Sequence, residues 1–377
     1  MQDDLGYWLE EGKSQMRKLT LLIGFMLMWT VGIYAQDTTT PVTPQPTPQP
    51  TAIFLPNNYR LNNITYHAQT WNNCGPATVT MALSYFGYTA DQQRAANWLK
   101  PNREDKNVSP WQMIEYINTQ VPELHVYAME RFGGDLERIK TLVYNHFPVI
   151  IEVGYDPDRA AQGWMGHYLL VIGWDDQAQT LITMDSYDGA NLAYSYDHIN
   201  THWQHFNYNY IVLYESGAEP LVLQLLGTDS DPEQNAINAF YKAREEAVSA
   251  TTNDREAFAW FNMGSMLTFL DRYDDAVTAF DKAREIGLPW RMMWYQFTPY
   301  EAYLEVGRYD DVISLATDII SNSSGNVEES YYYAGLARYG MGEYNRARDN
   351  LNMVVNFNQN FSPARTMLDQ IGRDSSN

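Results

Sequence analysis

The sequence predicts an α+β domain with an antiparallel sheet, followed by an all-α array of repeated helix pairs. Three observations carry that prediction. Between residues 77 and 145 the apolar positions recur at helical spacing; from 147 to 215 they form short strand-like runs, "FPVIIEVGY", "HYLLVIGW", "TLITMDSY" and "NYIVLYE". Helices first and strands afterwards, joined by turns as short as "WDDQAQ", set neighbouring strands antiparallel. Beyond "SGAEPLVLQLLGTDSDPEQ" the strand pattern stops and Ala-rich helical segments repeat.

In chain order, the first element is an export signal. "KSQMRKLTLLIGFMLMWTVGIYAQ" places Lys13, Arg17 and Lys18 before an apolar run that closes at Ala35. An uncleaved anchor with its N-terminus inside is the competing reading. The acidic stretch ahead of Met16 is unlike a signal n-region, so Met16 is an alternative start. Next comes "QDTTTPVTPQPTPQPT", which buries nothing and favours an extended, solvated spacer. The expected organisation is a signal or anchor over 1–35, a Pro/Thr-rich linker over 36–52, a mixed domain over 53–217, a second linker over 218–232 and a repeat domain over 233–377. The expected location is outside the cytoplasm, secreted or held on the outer side of the cytoplasmic membrane.

Charge narrows the partners. With 46 acidic against 25 basic residues the chain carries a formal −21, which excludes counterion-displacing contact with nucleic acid. Membrane contact is expected only through the N-terminal anchor. A single cysteine cannot close an intramolecular disulfide, and this leaves Cys74 free.

Helices are expected over 77–86, 90–99, 111–119 and 136–145. The first follows Cys74: Pro76 suits a first turn, Val79, Ala82, Leu83 and Phe86 form the apolar stripe, and Gly87 ends it. Helix N-termini favour thiolate over thiol, the nucleophilic species. A lone cysteine is nevertheless more often a small buried hydrophobe. Its base must come from a distant segment. A hairpin centred on Asp176 would set His167 directly across from Asp185, where a carboxylate can orient an imidazole.

These segments resemble a known family. "Q-x-W-N-N-C-G-P-A" with a helix ending in "SYFG", then "GHYLLVIGWDD" and "MDSYDG", are similar to the papain-like, bacteriocin-processing (double-glycine leader) cysteine peptidases, family thirty-nine, in their stand-alone, transporter-free branch. The resemblance covers roughly residues 53–214. It implies a papain-like fold with Cys74 as nucleophile, His167 as general base and acid, Asp185 as the orienting carboxylate and Gln69 as an oxyanion-hole donor, with no metal or organic cofactor. No G-x-x-x-x-G-K-[ST] loop or cluster of spans accompanies it, so ATP-driven export is not coupled within this chain. The expected function is an exported thiol peptidase acting on a peptide or protein. Two alternatives stand beside it: a catalytically silent extracytoplasmic scaffold, and a transglutaminase-like acyl transferase.

In the C-terminal part, "DRYDDAVTAFDKARE", "GRYDDVISLATDII" and "GEYNRARDNLNMVV" align on Tyr273, Tyr309 and Tyr344, spaced by 36 and 35 residues. Gly264 and Gly335 each lie nine positions ahead of their tyrosine, and "AINAFYKARE" echoes a degenerate first unit. The array resembles tetratricopeptide repeats, which implies a solenoid that binds a protein partner or peptide. The repeat tyrosines are read as packing, and the pairs Asp274–Asp275 and Asp310–Asp311 as carboxylates suited to helix N-termini. His198, His202 and His205 share a helix-like spacing; a short helix capped by Asp197 and packing Trp203 on the sheet is preferred to a metal site.

Overall fold

The computed structural model of the protein describes residues 54–155 and 163–374. The expected signal or anchor and the Pro/Thr-rich linker lie outside the described residues. No helix among the described residues is long and apolar enough to cross a membrane. The described residues fall in one compact unit, Ile53–Asn377.

Four helices lead into or interleave with the sheet: α1 Cys74–Ser84, α2 Gln92–Leu99, α3 Pro110–Gln120 and α4 Leu136–Tyr144. The starts of α2 and α4 are set by Asp91 and Asp135, whose carboxylates accept the N–H of Gln93 and Arg138. Ser109 and Gln112 close a capping box on α3. The strands are β1 Asn58–Arg60, β2 Val126–Arg131, β3 Val149–Tyr155, β4 Met165–Asp175, β5 Thr180–Asp185, β6 Gly189–Ser195 and β7 Tyr210–Glu215. All pairings are antiparallel, in the order β2-β7-β3-β4-β5-β6 with β1 added to β4. Expected strands β3, β4, β5 and β7 are present; β1, β2 and β6 carried too little apolar patterning to be read. Central β4 is buried from Gly166 to Trp174, as a strand covered on both faces must be. Helix α1 packs on it, buried from Gly75 to Ser84.

The β4–β5 hairpin departs from the expected register. Near the turn Trp174 pairs with Leu181 and Gly173 with Ile182; beyond a bulge at Ile172, Val171 pairs with Thr183 and Leu169 with Asp185. Asp185 is therefore not opposite His167 but two residues along, diagonal to it on the same face. Had the turn-proximal register continued, Asp185 would have paired with Leu170 and pointed to the other face, because side chains alternate along a strand. The one extra residue in β4 decides which face carries the carboxylate. Gly173 sits at the bulge because β1 crosses it: a Cβ there would lie 2.3 Å from the Tyr59 carbonyl oxygen.

Helix α5, Tyr196–Trp203, is capped by Ser195, whose hydroxyl accepts the His198 N–H; Asp197 lies inside the first turn rather than at the cap. Trp203 is fully buried, as expected. The segment expected to link the two parts is folded: α6, Glu219–Leu226, buries Val222 and Leu226.

The remainder is all helical: α7 Pro232–Ser249, α8 Asn253–Phe269, α9 Tyr273–Ile286, α10 Thr298–Glu305, α11 Tyr309–Asn322, α12 Glu328–Gly340, α13 Tyr344–Phe357 and α14 Ser362–Asp374. Each packs on its neighbours in the chain. Tyr273, Tyr309 and Tyr344 each open a 14-residue helix, so the internal repeat is a repeat of helix starts. The glycines explain themselves by contact. A Cβ on Gly264 would lie 2.7 Å from Phe280, and one on Gly335 3.0 Å from Leu351; both partners stand seven positions after the repeat tyrosine. The middle unit reverses the sizes, with Tyr300 at the glycine position and Ala316 at the partner position, both fully buried. Gly264→Val is expected to destabilise the helical part by about 1–3 kcal/mol through overpacking, read as a lowered Tm with the sheet part still folded by near-UV circular dichroism.

The helical part packs on the sheet part. Asn235 exchanges hydrogen bonds with the Phe132 backbone, Asn262 donates to the Gln204 carbonyl, and Asn358 donates to the Leu99 carbonyl. Between them Trp164 stacks on Phe206 and meets Tyr295 edge-on.

Candidate active site

Cys74 is the first residue of α1 and is half-buried. The preceding Asn73 makes no side-chain cap on the helix and instead donates to Thr70 Oγ1 at 2.8 Å. The start of α1 thus has no side-chain cap for its first-turn N–H groups. The loop before Cys74 is held from beneath by Lys100, whose Nζ donates to the carbonyls of Asn72, Arg103 and Asp105. Burial pulls the Lys100 ammonium below the usual lysine range, against the attraction of Asp105. Nothing in the local sequence marked Lys100 as a loop anchor; it is a product of chain reversal after α2.

His167, on β4, is 5% exposed. Its Nε2 lies 2.8 Å from Asp185 Oδ1, which leaves Nδ1 as the nitrogen available to Cys74 on the same cleft. Burial disfavours the imidazolium, but the hydrogen bonds and charges of Asp185 and Cys74 outweigh it and raise His167 to about 10. Asp185 is fully buried. Its Oδ1 also accepts the N–H groups of Tyr187 and Asp188, and its Oδ2 accepts the Tyr194 hydroxyl at 2.7 Å. Burial would raise this carboxyl; His167, Tyr194 and the turn N–H groups override it and hold Asp185 at about 2. The tight β5–β6 turn, where Asp185 pairs with Gly189, supplies those N–H groups.

Gln69 lines the same cleft. Its backbone N–H donates to the Ser186 carbonyl and its Oε1 accepts the Ser186 hydroxyl at 2.8 Å. With the oxygen occupied, the amide nitrogen is the end left to act on a ligand. Gln69, Cys74 and His167 therefore line one cleft of about 580 Å³, within the usual size for a ligand site, roughly 300–1,000 Å³, and Asp185 lies buried behind His167.

Sequence reasoning missed the opposite wall. Arg291, Trp294 and Tyr295, from the segment between α9 and α10, line the cleft together with Trp71, Tyr187 and Lys106. The only signal was the aromatic stretch "LPWRMMWYQF", which interrupts the helical repeat. His198, His202 and His205 do not form a site. His205 accepts a hydrogen bond from Trp164 Nε1 and stacks on Phe258 at 3.8 Å, and burial holds it near 3. Among the described residues no group of three or more His, Cys, Asp or Glu is arranged to hold a metal ion.

This arrangement of Cys, His and Asp on a helix start and an antiparallel hairpin bears directly on the family. Residues 61–215 match the model of the Peptidase_C39 like family. Gln69, Cys74, His167 and Asp185 all fall inside that match. Among solved structures, a candidate C39-like peptidase from Bacillus anthracis is 17% identical with a TM-score of 0.34, covering 42% of this chain and 98% of that one. MamA from Desulfovibrio magneticus RS-1, from residue 41 to its end, is 17% identical with a TM-score of 0.34 over 42% of this chain and 85% of that one. The MamA RS-1 ArsTM double mutant gives 17%, 0.33, 42% and 84%. No curated protein matches the chain. The likeness to the Peptidase_C39 like family is confined to residues 61–215, and the helical part beyond residue 215 lies outside that match.

Proposed function

We propose that the protein is an exported thiol peptidase whose C39-like part hydrolyses amide bonds and whose C-terminal helices, a tetratricopeptide-type array, bind the peptide or protein to be cut. The observation that carries this reading is the buried His167–Asp185 hydrogen bond beside an open cleft that Cys74 and His167 both line. In the proposed mechanism His167 takes the Cys74 proton, and the thiolate attacks the acyl carbon. The Gln69 amide and the Cys74 backbone N–H stabilise the resulting oxyanion. The imidazolium, held by Asp185, protonates the departing amine as the C–N bond breaks. Water, deprotonated by the neutral imidazole, then attacks the thioester; the acid is released and the thiol regains its proton. Residues 1–35 serve as signal or anchor and 36–52 as a spacer from the membrane.

Cut sites are read by comparing new protein N-termini in cells carrying wild type or Cys74→Ala. Termini present only with wild type are expected. Identical sets, with partner binding intact, would replace the peptidase with a binding scaffold. Product masses with and without added amine separate hydrolysis from acyl transfer: the free acid is expected in both. Gln69→Ala is expected to lower kcat by about 10²–10³-fold with KM little changed, measured on a peptide identified from those termini.

A further inference from the structure

A second cavity, of about 230 Å³, lies between β2 and β3 on one side and α8, α10 and α12 on the other. Three carboxylates line it, Glu130, Glu152 and Glu301, along with the aromatic rings of Phe206, Tyr295 and Tyr333; none of its lining residues is Lys, Arg or His. Glu152 is 2% exposed, and its Oε1 has no hydrogen-bond partner. Its Oε2 has a long contact with Asn209 Nδ2, at 3.4 Å, and the side chain of Tyr168, its cross-strand partner, also interacts with the carboxyl. The neighbouring Tyr168 hydroxyl gives its proton to the Val108 carbonyl. A buried carboxyl oxygen left this way is costly unless something inside the cavity pairs with it.

We propose that this cavity binds a primary alkylammonium group, carried by a lysine side chain or by a small free amine. The chemistry of the walls selects that class. An anion would face three carboxylates, and an uncharged apolar ligand would leave Glu152 Oε1 unpaired. A calcium ion takes about six to eight oxygen ligands, which aromatic faces do not supply. An ammonium donates three hydrogen bonds and is attracted to ring faces, while its alkyl stem lies against apolar wall. The volume suits a side chain or small amine. Burial pushes Glu130 up to about 7 and also raises Glu152 and Glu301, in keeping with a pocket that lacks its counter-charge. Tyr295 also lines the Cys74 cleft, so the two sites share a wall.

The test is calorimetric titration of the resting wild-type protein at pH 8 with n-butylammonium and with N-acetyl-lysine methylamide, using n-butanol and N-acetyl-norleucine methylamide as uncharged controls. Saturable binding of the amines and none of the controls is expected, weakened at least tenfold in Glu152→Gln. If that variant does not fold, Glu130→Gln on β2 carries the comparison. A lysine derivative binding tenfold more tightly than butylammonium identifies a side chain as the source, and the reverse identifies a free amine. A cavity that holds only water gives no saturable heat and overturns the proposal, as does equal binding of the controls or unchanged affinity in both folded variants. The readout needs no turnover, so it stands or falls separately from amide hydrolysis.

Discussion

His167→Ala is expected to abolish labelling of Cys74 by a thiol-directed electrophile at neutral pH and to lower amide hydrolysis by about 10²–10⁴-fold, the usual worth of a positioned acid–base group. Intact-mass spectrometry after brief exposure to the electrophile reads the first effect. Full labelling of the variant at the wild-type rate would sink the assignment. Asp185→Asn sharpens the test through pH. Asp185 supplies the largest favourable contribution that lifts His167 to about 10 against burial. Removing its charge lowers the pKa of His167, so the alkaline limb of the labelling profile is expected to move to lower pH in Asp185→Asn. A purely structural role for Asp185 would lower the amount of folded protein and leave the position of that limb unchanged.

Raising the pH from 5 to 9 is expected to loosen the contact between the sheet and helical parts, and Glu329→Gln to remove one part of that effect. At this junction Asp105, Glu328 and Glu329 are all nearly inaccessible to solvent. Glu329 accepts from the Ser109 hydroxyl; Glu328 accepts from Gln112 and Asn358. Lys100 reaches the Asp105 backbone carbonyl. Burial raises Asp105 to about 6 and Glu329 to about 8, and drives Glu328 well up, with mutual repulsion adding to it. A carboxyl whose folded pKa is raised binds its proton more tightly when folded. Its contribution to stability is complete below the unfolded value, near 4, and is lost as pH rises through the folded value. The window is therefore about pH 5 to 9. At pH 9 Glu329→Gln is expected to be more stable than wild type by about 1–3 kcal/mol, and at pH 5 to be nearly equal. Denaturant titration at the two pH values measures both; a variant no more stable at pH 9 than at pH 5, relative to wild type, would contradict the account.

How much could be read before folding varied with how local the signal was. Helices α1 to α4 and strands β3, β4, β5 and β7 were legible because their apolar periodicity is intrinsic to each segment. Strand β6, "GANLAYS", alternates only weakly, and three-residue β1 exists because β4 offers an edge. The starts of α9, α11 and α13 were legible to the residue, since the repeat carries them in register. Cys74, His167, Asp185 and Gln69 were nameable from their motifs. Lys100, Ser186 and the Arg291–Tyr295 wall were not, because they act on residues far along the chain, and Tyr194 was not, because it reaches Asp185 from β6, a strand the sequence pattern did not reveal.

Residue identity and local periodicity alone determined that this chain has one thiol at a helix start, a hairpin bearing an imidazole and a carboxylate, and a helical repeat after them. Only the tertiary structure decided that the carboxylate shares a face with the imidazole. A single bulged residue at Ile172 shifts the β4–β5 pairing, and a shift of one residue turns every later side chain to the other face of the sheet. The tertiary structure also set the helical part as a wall of the cleft and enclosed Asp105, Glu152, Glu328 and Glu329 between the two parts, because burial depends on what two distant surfaces exclude between them.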